Sequence, residues 1–161
     1  MDKAFEDILR GQPLPGISTT LVWEALVDIG PHEALGRGPH GERGIIPITG
    51  GVFRGGPGHE DLKGTIVPGG ADRQLLRADG AKELDAVYEM RVEDGTLLSL
   101  RNRVLIDETR DGDRYALSRI EVTAPAGRWD WLSRRIILGT LQAAMPARQA
   151  VVIRGWLADT D

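Results

Sequence analysis

Glycine interrupts this chain at short intervals, and that spacing restricts the possible folds more than any other feature of the sequence. There are 21 glycines among 161 residues, and many of them separate short runs of alternating apolar and polar residues. Glycine adopts positive φ without steric cost and therefore marks turns. Two Asp-Gly pairs, Asp79-Gly80 and Asp94-Gly95, lie between such runs. This pair is typical of tight hairpins whose central residues need positive φ, so we expect two hairpins here.

The runs beside these pairs predict a four-strand antiparallel meander. Its expected strands are Ala71–Ala78, Lys82–Val92, Thr96–Ile106 and Tyr115–Ala124. Other runs with strand composition are Ile17–Ile29, Ile45–Phe53, Leu62–Val67, Arg135–Gln142 and Gln149–Leu157. His32–Gly41 is expected to be an irregular loop. About nine strands with almost no helix-length periodicity indicate an all-β sandwich or a closed antiparallel barrel.

Only two short segments have a helical pattern. Asp2–Arg10 places its apolar residues on one face and is followed by Gly11, Pro13 and Pro15, which favour a helix end. We expect this helix to plug one barrel end or pack outside, the alternative being a dimerisation or partner-docking helix. Trp129–Arg134 is expected to close the other end. The predicted organisation is a helical extension over residues 1–16 and one β-barrel domain over 17–161.

Composition excludes several classes of function. Lys and Arg number 20 against 24 Asp and Glu, a net charge of −4, which argues against a nucleic-acid partner. Cysteine is absent, so disulfides, thiolate nucleophiles and Cys-ligated metals are excluded. No apolar run approaches the roughly 18 residues of a membrane span, and the first residues do not resemble a secretory signal. We therefore expect a cytoplasmic protein without a membrane partner.

The motifs that hold cofactors are also missing. The glycines of Gly55–Gly58 do not lead into Gly-Lys-Ser/Thr and a helix, as a phosphate-binding loop requires. His32, His40 and His59 lie in loops without the spacing that brings two imidazoles to one metal ion. His59-Glu60-Asp61 groups three ligand types, but consecutive loop side chains usually diverge. The sequence thus predicts neither a metal nor another cofactor.

Polar residues inside strands are the candidates for chemistry. Asp72 and Gln74 share one strand face, and Asn102 shares a face with two leucines. In a barrel interior an aspartate loses hydration, which raises its pKa towards the range of acid–base catalysis, unless a cation such as Arg101 keeps it ionised. The alternative is a solvated outer face. Either face of Leu84–Val92 could point inward, and Trp131 could serve as a stacking surface or as core.

Several segments, in this order and spacing, resemble a bacterial and fungal family catalogued only as a domain of unknown function. They are Gly41–Arg43, Ile45–Phe53, Val67–Asp72, Leu84–Tyr88 and Arg101–Arg103. The combination of Pro-Ile-Thr-Gly-Gly with Pro-Gly-Gly-Ala-Asp makes the resemblance specific. It implies a small antiparallel β-barrel similar to allene oxide cyclase and dirigent barrels, and cofactor-free chemistry on a hydrophobic small molecule by fold analogy.

The resemblance also implies a set of polar pocket positions. In this chain they are Thr49, Asp72, Asp85, Tyr88 and Asn102. The family commonly has Trp at Arg73 and Arg at Val87, and residues 1–16 look like an extension. The change at Val87 is expected to alter the charge and ligand preference of the pocket.

These observations predict a cofactor-independent isomerase, cyclase or lyase that acts on a small hydrophobic molecule. The expected catalytic residues are Asp72, Asp85 and Tyr88, and the expected substrate-binding residues are Thr49, Gln74, Arg101, Asn102 and Trp131. The alternative is a non-catalytic barrel that binds a small hydrophobic ligand, followed by a structural protein whose barrel is filled by side chains. We also expect a homodimer.

Overall fold

The computed structural model describes residues 1–161, and most of them lie in β-strands. The elements are α1 Lys3–Arg10, β1 Ile17–Ile29, β2 Glu33–Gly38, β3 Gly41–Gly55, β4 Gly64–Ile66, β5 Gly70–Arg77, β6 Lys82–Val92, β7 Leu97–Asp107, β8 Tyr115–Thr123, a 3-10 helix Asp130–Arg134, β9 Ile137–Ala143 and β10 Ala150–Thr160. The bounds of β1 and β6 are the predicted ones, and the other predicted strands differ by a few residues at their ends.

The strand pairings form a ring, so the sheet is barrel-like. They run from β1 through β10, β9, β8 and β7 to β6, which pairs with both β4 and β5. These two short strands each pair with β3, and β3 pairs back with β1. Every pairing is antiparallel, and the shortest joins Val52 and Phe53 of β3 to Thr65 and Gly64 of β4. The prediction of an all-β antiparallel barrel with a short N-terminal helix is confirmed.

The segment His32–Gly41 contains a strand, and the prediction of an irregular loop is wrong. Glu33–Gly38 forms β2, which pairs with the beginning of β3 through a register shift between Ala34 and Gly36. No residue of β2 is buried, so its sequence lacks the apolar alternation that identifies a half-buried strand. Its backbone partner comes from β3, which begins four residues earlier than predicted.

The two predicted Asp-Gly hairpins exist, but only the glycines have positive φ. Gly80 has φ 89° and Gly95 has φ 95°, and no non-glycine residue has positive φ. The expectation that the aspartates of these pairs also have positive φ is therefore wrong. Instead, the carboxylates of Asp79 and Asp94 accept hydrogen bonds from backbone N–H groups two residues later. This is the pattern of a three-residue hairpin loop that ends in a left-handed glycine.

Side chains fill one end of the barrel. Large apolar residues from several strands, including Trp23, Met90 and Leu98, pack there with Leu132 from the 3-10 helix. Leu132 is fully buried, which agrees with the expectation that this segment closes one end. The other end holds a cavity, described below.

The N-terminal helix does not plug the barrel. Asp2 caps α1 by accepting a hydrogen bond from the backbone N–H of Ala4, yet none of its residues is buried. The apolar side chains of Phe5, Ile8 and Leu9 are all exposed. The helix therefore forms where its capping residue and residue spacing predict it, but the expectation that it packs against the barrel is wrong. Neither α1 nor the 3-10 helix has the length and apolar composition to cross a membrane.

Candidate functional site

Strand β6 shows which faces of the meander point inward. Tyr88 and Leu84 are buried, whereas Val87 between them is 52% exposed. Because side chains alternate between the two sides of a strand, the inward set also includes Lys82 and Ala86. The apolar face of this strand therefore lines the interior, and the mainly polar face forms the outer surface.

A partly enclosed cavity of about 200 Å³ lies inside the barrel. Of its 16 lining residues, 12 are hydrophobic. They are Val27, Ile29, Ile46, Ile48, Asp72, Gln74, Lys82, Leu84, Ala86, Tyr88, Asn102, Val104, Ile106, Leu141, Val151 and Ile153. An apolar protein cavity of about 150 Å³ accepts benzene. The size therefore suits a single ring with a few substituent atoms.

The cavity opens at the end that carries the β5–β6 and β7–β8 turns. Lys82 begins β6 beside one turn, Ile106 lies near the end of β7, and both are partly exposed. Tyr88 and Ile48, farther along the barrel, are buried and form the cavity floor. Asp72 lies level with Ala86, two inward-facing positions below Lys82. Because Asp72 follows the Pro68-Gly69-Gly70 turn, the sequence alone would suggest a position at a barrel mouth. This is wrong, because β5 begins deep in the barrel and only its far end, near Arg77, reaches the mouth.

Three inward residues from neighbouring strands form one row across the cavity wall. Asp72 of β5 pairs with Ala86 of β6, and Ala86 pairs with Asn102 of β7. Tyr88 faces inward one position deeper on the middle strand. Neighbouring strands lie about 4.8 Å apart, so the two polar side chains flank the small methyl group of Ala86. The alanine leaves the space between them open.

Four buried polar atoms that line this cavity have no hydrogen-bond partner in the protein. They are Oδ1 of Asp72, Oε1 of Gln74, Oη of Tyr88 and Oδ1 of Asn102. The fifth such atom in the chain is Nε1 of Trp23, in the packed core. Leaving a buried polar group unpaired costs about 1–3 kcal/mol, so native proteins rarely gather four together. Their concentration on one apolar cavity marks it as the candidate site.

Burial raises the pKa of the Asp72 carboxyl above its usual range. A hydrogen bond of 2.8 Å from Nε2 of Gln74 to Oδ2 opposes this shift, as do the backbone N–H of Asp85 and the positive charge of Lys82. Burial nevertheless dominates, and the pKa moves towards the pH range in which a carboxyl can both take up and release a proton.

The Tyr88 hydroxyl stays protonated at neutral pH. Burial raises the pKa of this phenol, and the neighbouring charge of Asp72 raises it further. The hydroxyl can therefore donate a hydrogen bond into the cavity. The amide of Asn102 lies on the adjacent wall, so two neutral polar groups face the space beside Asp72.

Asp85 and Arg101 lie outside the cavity, on the outer surface of the meander. The guanidinium donates from Nε and Nη2 to the two carboxylate oxygens of Asp85 at 3.0 and 2.9 Å. This contact holds the pKa of Asp85 below its usual range. Arg101 thus pairs with Asp85 and not with Asp72. Both predicted roles in the pocket fail for one reason: odd-numbered residues of β6 and β7 point outward.

Thr49 and Trp131 also lie outside the cavity. Thr49 follows the inward-facing Ile48 and is exposed on the outer surface. Trp131 belongs to the 3-10 helix near the filled end of the barrel, where its ring stacks on His59 with centroids 5.5 Å apart. Val87 points outward as well. The expected effect of this position on pocket charge is therefore wrong.

The structure brings together four of the eight predicted site residues, Asp72, Gln74, Tyr88 and Asn102. Sequence reasoning missed Lys82 and Ala86, which line the same cavity. Extending the alternation of Leu84, Ala86 and Tyr88 back by one step places Lys82 on their face, and this signal was available. No group of three or more His, Asp or Glu side chains is arranged to hold a metal ion.

The fold and the cavity define a barrel-like β-protein with an apolar pocket that carries a few polar groups on its wall. The chain belongs to the family described as a protein of unknown function, DUF3237, whose model matches residues 17–157. A UPF0311 protein of Rhodopseudomonas palustris is 27% identical over 151 residues, which cover 86% of this chain and 95% of the relative. The family resemblance found in the sequence is confirmed.

Solved structures support the same fold. A beta-barrel like protein from Acinetobacter baumannii has a TM-score of 0.78 and 25% identity, and the match covers 91% of this chain and 99% of that one. A protein from Penicillium herquei described as an enzyme has a TM-score of 0.69 and 18% identity, over 92% and 98% of the two chains. At that identity the second likeness shows the fold alone.

Proposed function

We propose that this protein is a cofactor-independent enzyme that moves a proton on a compact, mainly apolar carbonyl compound held in the cavity. The reaction classes that fit are isomerisation, cyclisation and elimination by a lyase. The observation that carries the proposal is the set of four unpaired buried polar atoms on one apolar cavity wall. The Tyr88 hydroxyl can donate to a substrate oxygen, and the oxygens of Asp72, Gln74 and Asn102 can accept from polar hydrogens of a ligand.

The apolar lining and the volume limit the substrate. Twelve hydrophobic residues would cover the body of the molecule, and about 200 Å³ restricts it to roughly one ring with small substituents. A substrate body that fills this cavity would displace water from it, which strengthens the electrostatic interactions inside.

Asp72 is the proposed proton-transfer group. In the isomerase form the substrate is an unsaturated carbonyl compound, and the carboxylate removes a proton from the carbon between the carbonyl and a C=C bond to give an enolate conjugated with that bond. The carboxyl formed then returns the proton to the far carbon of the C=C bond, the double bond shifts into conjugation with the carbonyl, and the protein is regenerated. The raised pKa of Asp72 suits both steps. In a lyase the same enolate expels a leaving group, and in a cyclase it closes a ring.

Tyr88 and Asn102 are proposed to stabilise the enolate oxygen. A protonated hydroxyl and an amide N–H can both donate to an oxygen on which negative charge develops. Both residues flank Ala86, as Asp72 does, so an oxygen and an adjacent carbon of one ring could face the donors and the carboxylate together.

A non-catalytic ligand-binding protein is the second candidate, and the predominance of hydrophobic lining residues favours it. Deuterium exchange separates the two functions. A panel of monocyclic ketones and enones is incubated in D₂O with the protein, and loss of the proton next to the carbonyl is followed by NMR. An enzyme accelerates this exchange, whereas a carrier only binds.

A variant that fills the cavity tests whether the exchange takes place inside it. In Ala86→Phe a large ring occupies the space between Asp72 and Asn102, and we expect exchange to fall to the uncatalysed rate. Val87→Phe adds the same ring on the outer surface and serves as the matched control, with exchange retained. Equal exchange in both variants would contradict catalysis inside the cavity, and no exchange by the wild-type protein would favour the carrier.

A further inference from the structure

We propose that the substrate is an acid, whose carboxylate binds Lys82 at the cavity mouth while its apolar body enters the cavity. This inference rests on the proposed function and narrows its substrate class to compact carboxylic acids. It is carried by the position of Lys82, by its lack of a partner, and by the second cavity that it borders.

Lys82 is the only basic residue that lines the cavity. It lies at the open end, and its side-chain ammonium group forms neither an ion pair nor a hydrogen bond with another residue, although its backbone pairs with β5 and β7. Lys63, in contrast, lies 3.8 Å from a carboxylate oxygen of Glu93. A lysine beside an apolar cavity, with its ammonium group unpaired, is a ready partner for an anion.

A second, more polar cavity of about 320 Å³ meets the first one at Gln74 and Lys82. It contributes further charged side chains, but these are already engaged. Glu42 accepts a hydrogen bond from Arg37 at 3.0 Å, and Arg43 donates to the backbone carbonyls of Leu35 and Gly36. Arg43 lines the second cavity only, so the ammonium group of Lys82 is the one cation that borders both cavities.

The charges along the cavity also fix the orientation of an acidic ligand. Asp72 lies deep in the cavity and would repel a carboxylate there, while Lys82 at the mouth attracts it. The carboxylate must then face the mouth, and the opposite end of the molecule reaches Tyr88 and Asn102. This orientation places the reacting part of the substrate beside the proposed proton-transfer group.

A matched pair of probes tests the inference. Calorimetric titration compares 3-phenylpropanoate with its neutral amide, 3-phenylpropanamide, on wild-type protein, Lys82→Met and Lys63→Met. We expect the wild type to bind the acid about tenfold or more tightly than the amide, because charge-assisted hydrogen bonds are about twice as strong as neutral ones. Lys82→Met should lose this preference and keep its affinity for the amide, which also reports that its cavity is folded.

Lys63→Met loses the same charge at a distant site, so it should keep the wild-type preference. Equal binding of both probes to the wild type would overturn the carboxylate assignment and leave the proposed cavity chemistry standing. A preference that survives in Lys82→Met would also overturn it. If the wild type binds neither probe, both this assignment and the proposed ligand class fail together.

Discussion

Gln74 donates a hydrogen bond from Nε2 to Oδ2 of Asp72 at 2.8 Å, on the inward face of β5. The other carboxylate oxygen, Oδ1, has no partner in the protein. One oxygen is thus held by a neutral donor while the other is available to a ligand. The pair combines a fixed orientation with a raised pKa, two properties that a proton-transfer group needs.

Removing the Gln74 donor should raise the pKa of Asp72 further. The amide stabilises the charged carboxylate, and Gln74→Leu removes that contact without adding a charge. The carboxyl carbon shift of Asp72, followed by NMR against pH, gives the midpoint. Arg73→Leu changes the outward-facing neighbour and should leave the midpoint in place. A midpoint that falls in Gln74→Leu would contradict the role assigned to this hydrogen bond.

Asp72→Asn should make the folded protein more stable at neutral pH. Burial raises the folded-state pKa of Asp72 above the unfolded value of 3.8. The protonated carboxyl therefore stabilises the fold relative to the ionised one, and this contribution is fully present below pH 3.8 and is lost as the pH rises through the folded-state pKa. Removing the charge should therefore raise the free energy of unfolding at pH 7 and change it little at pH 3. Denaturation in urea at pH 3 and pH 7 measures it.

Asp85→Asn provides the control of opposite sign. Arg101 lowers the folded-state pKa of Asp85, so stability from this group is present above the unfolded pKa and lost as pH falls. Because the pair is partly exposed, the loss at neutral pH should stay within about 1 kcal/mol. A stabilising effect of Asp85→Asn would contradict the outward placement of this residue.

Tyr88→Phe should lower the rate of deuterium exchange without lowering the stability of the fold. The hydroxyl has no partner in the protein, so its removal leaves no other group unpaired, and the free energy of unfolding should change by less than about 1 kcal/mol. Loss of one donor to a developing oxyanion typically lowers the rate by about 10²–10³. Deuterium exchange and urea denaturation of one preparation measure both. If Tyr88→Phe loses much of its stability but keeps the wild-type exchange rate, the hydroxyl has a structural role and not the catalytic role proposed for it.

Deletion of residues 1–16 should leave the barrel folded. No residue of α1 is buried, and the backbone carbonyl of Gly16 accepts one hydrogen bond, from Asp161 at the other terminus. The truncated chain should unfold cooperatively with a melting temperature within a few degrees of the full chain. Calorimetry of both chains tests this, and loss of a cooperative transition would place the segment in the core.

Most strand positions could be predicted because glycine and proline mark their ends. The limits of β6 follow from the Asp-Gly pairs on both sides, and β9 ends before Pro146. Strand β2 could not be predicted in this way, because all its residues are at least partly exposed and its partner lies in the next strand. A strand without buried side chains shows no alternation of apolar and polar residues, so its sequence does not indicate that it is a strand.

The site was predictable only in part because polar residues occur on both faces of the meander. Asp72 and Asp85 are both aspartates in adjacent strands, and the sequence does not say which one faces the interior. The register decides: Asp72 pairs with Ala86, so Asp85 belongs to the opposite face. The arginines of β7 beside Asp85 could have suggested this, since unlike charges often pair on an outer sheet surface. Arg103 lies directly opposite Asp85, and Arg101, on the diagonal, forms the ion pair with it.

The central claim is that Asp72, and not Asp85, transfers the proton, and one comparison of exchange rates tests it most directly. Asp72→Asn and Asp85→Asn remove the same charge one strand apart, one inside the cavity and one outside. With a monocyclic ketone that the wild type exchanges in D₂O, Asp72→Asn should lower the rate by about 10²–10⁴, the usual contribution of a general acid–base group. Asp85→Asn should retain the wild-type rate. Equal rates in the two variants would contradict the account.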